Sequence, residues 1–313
     1  MNLPVAMSGL GIGQIISLVV LGIILSILAY RSLKGHEVKR RLIFAMIWLA
    51  VSVPVLVPIT FYHKITPVVS AVFDKIESLP PDSKILISFD FDPAMAPEIG
   101  PMANALTRHC FARGHKVVFM SIWGTGPGLL RTTLDNVIRP EFPERKEGID
   151  WANIGYKAGN QGVLNVIVTD LRKMYPADIN NVPLDSLPVL NGIKSCKDFN
   201  LIIALGGGFP GPKEWVLYVG DPGNVPVVAG AAAVSAPQLY PYYPKQLRGI
   251  LGGIKGAAEY EQHLAETYPR FADTPRPAVK MMGPQTLAHV VVMIFIVLGN
   301  VIYFRNRREA RKA

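Results

Sequence analysis

The chain has 313 residues, 50% of them hydrophobic and 18% charged, with a formal net charge of +9. So apolar a composition excludes a disordered chain, and the length leaves room for one sizeable core plus further segments. A basic balance points first to nucleic acid or to a membrane surface, and where the charge lies decides between them.

Gly9 to Tyr30 holds no charged residue and is rich in Leu, Ile and Val. About 18 such residues suffice to cross a bilayer's hydrocarbon core. The run is long, and basic residues follow it rather than precede it, so it reads as an uncleaved span rather than a signal peptide. Gly9, Gly13 and Ser17 recur every four residues, as do Gly22 and Ser26, a spacing that lets helices pack closely in lipid. Residues 31–41 then carry five basic residues and one acidic residue. Leu42 to Phe61 is a second uncharged run, in which Pro54 and Pro58 should kink the helix.

Residues 63–283 read as one domain. Apolar runs rich in β-branched residues alternate with helical patterns. Lys84 to Phe89 precedes a helix over Met95 to Arg113, and Lys116 to Ser121 precedes one over Leu129 to Ile138. A strand or helix start around Ile149 to Tyr156 leads to a helix over Val163 to Met174. Leu201 to Leu205 and Val225 to Ala229 follow as strands, and a helix runs from Lys245 to about Glu266. Such alternation, with continuously apolar strands, implies an α/β fold: a doubly wound, mostly parallel, Rossmann-like sheet covered on both faces. Pro176 to Lys197 lacks periodicity and reads as an excursion or lid; Asp273 to Pro284, with three prolines, is a linker. Thr286 to Phe304 is the third span, and its tail, residues 305–312, again has five basic residues against one acidic.

Short basic flanks stay on the cytoplasmic side. Both flanks satisfy that rule if the N-terminus is outside and the chain crosses three times, which places residues 63–283 outside the cytoplasm. That segment holds 22 Lys and Arg against 21 Asp and Glu, a net charge of +1. The basicity therefore belongs to the flanks, and nucleic acid is not an expected partner. Cys110 and Cys196 give no pairing geometry, and the six His residues show no zinc spacing.

In doubly wound sheets, ligands bind beyond the carboxyl ends of the strands. Three sequences fall there: Phe89-Asp90-Phe91-Asp92-Pro93, then Ser121-Ile-Trp123-Gly124-Thr125-Gly126, then Gly206-Gly207-Gly208-Phe209. Glycines in such loops let the backbone approach a ligand, so Ser121, Gly124, Gly126, Gly206, Gly207 and Gly208 form a candidate small-molecule site. Neither loop is a dinucleotide or Walker fingerprint.

The Asp90-x-Asp92 pair ending the first strand resembles the opening motif of the haloacid dehalogenase superfamily, with Ser121 in the place of its second motif. Lys213 and Gly220-Asp221 loosely resemble its later elements. The resemblance implies a nucleophilic Asp, an acid/base Asp and Mg²⁺-assisted phosphoryl transfer. Pro93, Ala94 and Asn224 depart from that pattern.

Tyr240, Tyr242 and Tyr243 lie among prolines and precede Gly249, Gly253 and Gly256. Interior glycines cost about 1 kcal/mol each in a helix. Close packing would compensate, either inside the domain or at an interface with a second copy or another membrane protein. Taken together, the expectation is a multi-pass cell-membrane protein. Its extracytoplasmic domain serves as a binding or assembly component of an envelope complex, with no complete catalytic set and no cofactor. The alternative is a membrane-tethered, Mg²⁺-dependent hydrolase or phosphatase centred on Asp90 and Asp92.

Overall fold

The computed structural model describes residues 12–34, 39–57, 59–61 and 64–310. Gly9, Pro58, the middle of the 31–41 flank and the last three residues lie outside them. In chain order, α1 (Ile12–Leu33), α2 (Arg40–Leu56) and α3 (Pro67–Glu77) precede β1 (Lys84–Asp90). Then come α4 (Ala96–Ala112), β2 (Lys116–Ser121), α5 (Gly126–Thr133), β3 (Trp151–Tyr156), α6 (Gln161–Ile167) and β4 (Leu201–Gly206). The chain closes with α7 (Pro212–Trp215), β5 (Val227–Ala231), β6 (Leu247–Gly252), α8 (Gly253–Thr267) and α9 (Pro277–Ala310), with shorter helical turns between. Two compact units result: Met1–Tyr62 with Val279–Ala313, and His63–Ala278.

In the first unit, two helices are long and apolar enough to cross a membrane, over Gln14–Arg31 and Pro277–Arg308. The second expected span is a helix of 17 residues that contains Pro54 and stops at Leu56 rather than Phe61. The stop has a local cause. Val57 precedes Pro58, a position from which the α region is sterically disfavoured, and it sits at φ −119°, ψ 88°. Leu21 and Leu25 of α1, Met46 and Ala50 of α2, and Val291 of α9 form one buried cluster, so the three helices pack on each other. Away from that seam the surface is apolar: Ile23 of α1, Phe44 and Trp48 of α2, and Val297 of α9 are all more than half exposed.

The second unit is a six-stranded sheet of order β3-β2-β1-β4-β5-β6, and every pairing is parallel. This is the doubly wound order, with its switch point between β1 and β4. β1, β2 and β4 are buried along nearly their whole length, as strands covered on both faces must be. α4 and α8 pack together on one face, where α3 also lies against β6. The other face is covered by α6, the 171–199 segment and the stretch that starts with α7.

Four expectations are corrected here. The helix expected from Lys245 begins at Gly253, because Leu247–Gly252 is the sixth strand. Its glycines disguised it as a helical face; Gly249 lies so close to α3 that a Cβ there would sit 2.5 Å from Val72 Cγ2. Pro176 to Lys197 is no lid, since Leu184, Leu187, Val189 and Leu190 are buried in the core of the second face. The Val163–Met174 helix is two short ones, because Asp170 caps a new helix over Leu171–Met174 by accepting from Lys173 N. The linker is also shorter than expected, as α9 starts at Pro277 and continues through Pro284.

Candidate functional site

The strand register brings the expected site residues to one edge. Asp90 pairs with Gly206, Gly206 with Ala231, and Ala231 with Gly252, while Ser121 pairs with Tyr156. The loops after β1, β2, β4 and β5 therefore converge at the switch point.

Asp90 is fully buried. Its Oδ1 accepts from Ile122 N at 2.8 Å, and its Oδ2 from Ser88 Oγ at 2.6 Å and from the Trp215 indole Nε1 at 2.7 Å. Both oxygens are thus engaged, and the carboxyl group ties the ends of β1 and β2 to α7. Burial pushes its pKa up to about 6, against the opposing pull of these hydrogen bonds. Asp92 turns the other way: its Oδ1 accepts from Met95 N at 3.1 Å, closing the turn before α4. The two carboxylates have separate partners rather than one shared centre. Among the described residues, no group of three or more His, Cys, Asp or Glu is placed to hold a metal ion.

The glycine loops are closed by their neighbours. A Cβ on Gly207 would lie 2.5 Å from Met95 Sδ, and one on Gly208 would lie 2.6 Å from Trp123 Cη2. At Gly126 it would meet Ser121 Oγ at 2.0 Å and Phe89 O at 2.3 Å, and at Gly206 it would meet Asp90 O at 2.8 Å. Hydrogen bonds lock the same contacts. Trp123 Nε1 donates to Pro210 O at 2.7 Å, Thr125 Oγ1 to Phe91 O at 2.9 Å, and Ser235 Oγ to Gly207 O. Ala233 N donates to Glu98 Oε2 at 2.7 Å, and Ser121 Oγ donates to Phe89 O at 2.7 Å. The glycines admit Met95, Trp123 and Ser121, which occupy the room a ligand backbone would need. Gly124 alone keeps ordinary space, 3.8 Å from the Tyr156 ring. The first βα turn has no glycine and bears Asp92, and Glu98 follows in the first turn of α4, which disfavours a phosphate at the α4 N-terminus.

Large apolar side chains are exposed at this edge: Phe209 is 65% exposed, Val234 89% and Tyr240 50%. Tyr242 and Tyr243 instead pack against the core of the second face. Gly249, Gly253 and Gly256 are buried inside the domain. Gly253, at φ +60°, starts α8 where a side chain would be strained, and Gly256 faces the Leu251 backbone at 2.9 Å. The glycine face is therefore internal packing rather than an outward interface.

A second polar cluster escaped the sequence reading. His109 of α4 is buried, its Nδ1 accepts from Tyr260 OH at 2.6 Å, and its Nε2 donates to Glu77 Oε1 at 2.9 Å. A carboxylate only accepts, which assigns that tautomer. Arg113 and Tyr268 complete the Glu77 shell. Burial lowers the His109 pKa to about 4, so the imidazole is neutral at ordinary pH. His109 and Tyr260 join α4 to α8 through this bond, and no periodic signal in the sequence links residues so far apart. Cys110 and Cys196 are both free and buried. Compared with known proteins, the chain matches no family model, no curated protein and no solved structure.

Proposed function

We propose that this chain is a three-span membrane protein whose α/β domain lies outside the cytoplasm and serves as a binding or assembly component of a membrane complex. The observation that carries the choice of binding over catalysis is Asp90. Asp90, which ends β1 at the switch point, is buried, with both oxygens bonded to the protein itself. A nucleophile or metal ligand must present an oxygen to the reacting centre, and both oxygens of Asp90 are already engaged. The interlocked glycine loops support the same reading. The exposed Phe209, Val234 and Tyr240 offer the aromatic and apolar surface that protein partners use.

The membrane reading is supported by the outward apolar faces of α1, α2 and α9 and by their shared seam. At about 1.5 Å per residue, α2 reaches about 25 Å, near the thickness of a thin bilayer core. The two basic flanks support the cytoplasmic assignment of both. A cysteine introduced at exposed Asn180 of intact cells should react with a membrane-impermeant maleimide, and one added after Ala313 should not. The reverse pattern would overturn the sidedness. For the role itself, the purified protein should turn over no phosphate ester, and millimolar Mg²⁺ should leave its melting temperature unchanged. Mg²⁺-dependent turnover abolished by Asp90→Asn would establish the hydrolase instead.

A further inference from the structure

We infer that α9 pairs with α9 of a second copy of this chain within the bilayer, through the face that carries His289 and Asn300. The inference rests on the membrane reading of α9 and does not depend on what the globular domain binds.

α9 has two unlike faces. Leu287, Val291, Ile294 and Phe295 belong to the seam with α1 and α2, where Val291 is 1% exposed. At about 100° per residue, Asn300 lies about 180° and His289 about 160° around the helix from Val291, so the two share one strip to within about 20°. Both are exposed, and the apolar side chains between them, Met293 and Ile296, are 56% and 58% exposed. Polar side chains in a span are unfavourable against hydrocarbon and characteristically face protein. The seam is on the far side, so the protein that covers this strip must come from outside the three-helix unit.

The hydrogen-bond inventory selects the occupant. Asn300 Nδ2 donates to Ile296 O at 2.9 Å, within its own helix. One N–H and the Oδ1 acceptor of the amide remain. A second copy inserts with the same orientation, so its Asn300 stands at the same depth. Across a two-fold axis along the membrane normal, each amide then donates to the other's Oδ1. His289 meets His289 in that same register, and a neutral imidazole likewise offers one donor and one acceptor. Any other partner would have to supply matching groups at two depths about 16 Å apart, whereas a second copy does so automatically.

The test uses the full-length protein in native membranes washed with alkaline carbonate. Cys110 and Cys196 are buried, so an added cysteine reports alone. M293C, on the strip, should form a disulfide-linked species of twice the chain mass on mild oxidation. V301C, about 100° around from Asn300, should not. Adding Asn300→Val to M293C should lower dimer yield about three- to thirtyfold, the range for interhelical polar contacts in membranes. Asn300→Gln, which keeps the amide, should retain most of the dimer. Asn300 is exposed and bonded only within its helix, so the valine leaves the seam intact. Carbonate-resistant M293C protein that stays monomeric would overturn the pairing while the membrane reading stands. Equal crosslinking at Val301, yield indifferent to Asn300→Val, or an adduct with another protein would overturn it as well. Protein stripped off by carbonate would remove the membrane reading and the pairing together.

Discussion

Asp90→Asn keeps an acceptor for Ile122 N–H but turns an amide N–H toward Ser88 Oγ and Trp215 Nε1. The serine hydroxyl can rotate to accept. The indole N–H cannot, and one buried donor left unpaired costs about 1–3 kcal/mol. Against this stands the charge. The Asp90 pKa is raised from 3.8 to about 6 by desolvation, and a shift of about two units corresponds to about 3 kcal/mol between its ionised and neutral forms. A raised folded-state pKa gives stability that is fully present below the unfolded value of 3.8 and is lost as pH rises through about 6. Asparagine has no such dependence. Near pH 8 the two effects roughly cancel, and the variant should melt close to the parent. Near pH 4 the parent should be the more stable by about 1–3 kcal/mol, the mismatch alone. Thermal unfolding of parent and variant in matched detergent, from pH 8 to pH 4, measures the difference directly. A parent advantage that shrinks on acidification would show that Asp90 favours its charged form when folded, as a metal-binding carboxylate would, and would refute the structural role.

Gly249→Val and Gly253→Leu should each destabilise the domain by about 1–3 kcal/mol or more, read as a lowered thermal midpoint. Stability unchanged with an altered oligomeric state would return the glycine face to the surface. Tyr260→Phe should cost about 1–2 kcal/mol in chemical denaturation, because it strands the buried His109 Nδ1. His109 has a depressed folded pKa, 6.5 falling to about 4, so the stability it gives is present above 6.5 and declines as pH falls toward 4. His109→Gln should remove that part of the acid limb, and a limb of the same steepness in the variant would refute the assignment.

The parallel sheet was legible because its strands are buried on both sides and so read as unbroken apolar runs. Lys116 to Ser121 was bounded correctly at both ends. β6 was not legible, since its sequence, Leu-Arg-Gly-Ile-Leu-Gly, trades side chains for the close approach of α3. No local pattern separates a glycine that admits a neighbouring helix from one on a helix face. The same ambiguity governed the site. Sequence placed Asp90, Ser121 and the glycine loops at the correct edge, because topology puts strand ends together. It could not see that Trp215, 125 residues on, would donate to Asp90, or that Met95 and Trp123 would fill the glycine gaps.

Those fillings bear on why a doubly wound sheet here need not bind a nucleotide. The fold guarantees a crevice at its switch point, but not that the crevice stays open. In dinucleotide-binding sheets a glycine-rich first turn exposes backbone N–H groups to the pyrophosphate. Here that turn is Phe91-Asp92-Pro93-Ala94-Met95: Pro93 has no N–H, and Met95 N is bonded to Asp92. The glycines have moved to the β4 loop, where they receive Met95 and Trp123. Four loops are thereby packed against one another at the switch point. Phe209 and Val234 lie exposed on their outer surface. Phe209→Ser and Val234→Ser should therefore leave thermal stability within about 0.5 kcal/mol, as exposed positions do, and on the proposed binding role they should weaken capture of a protein partner. A large stability loss from either change would mean that these side chains serve the fold rather than an interface.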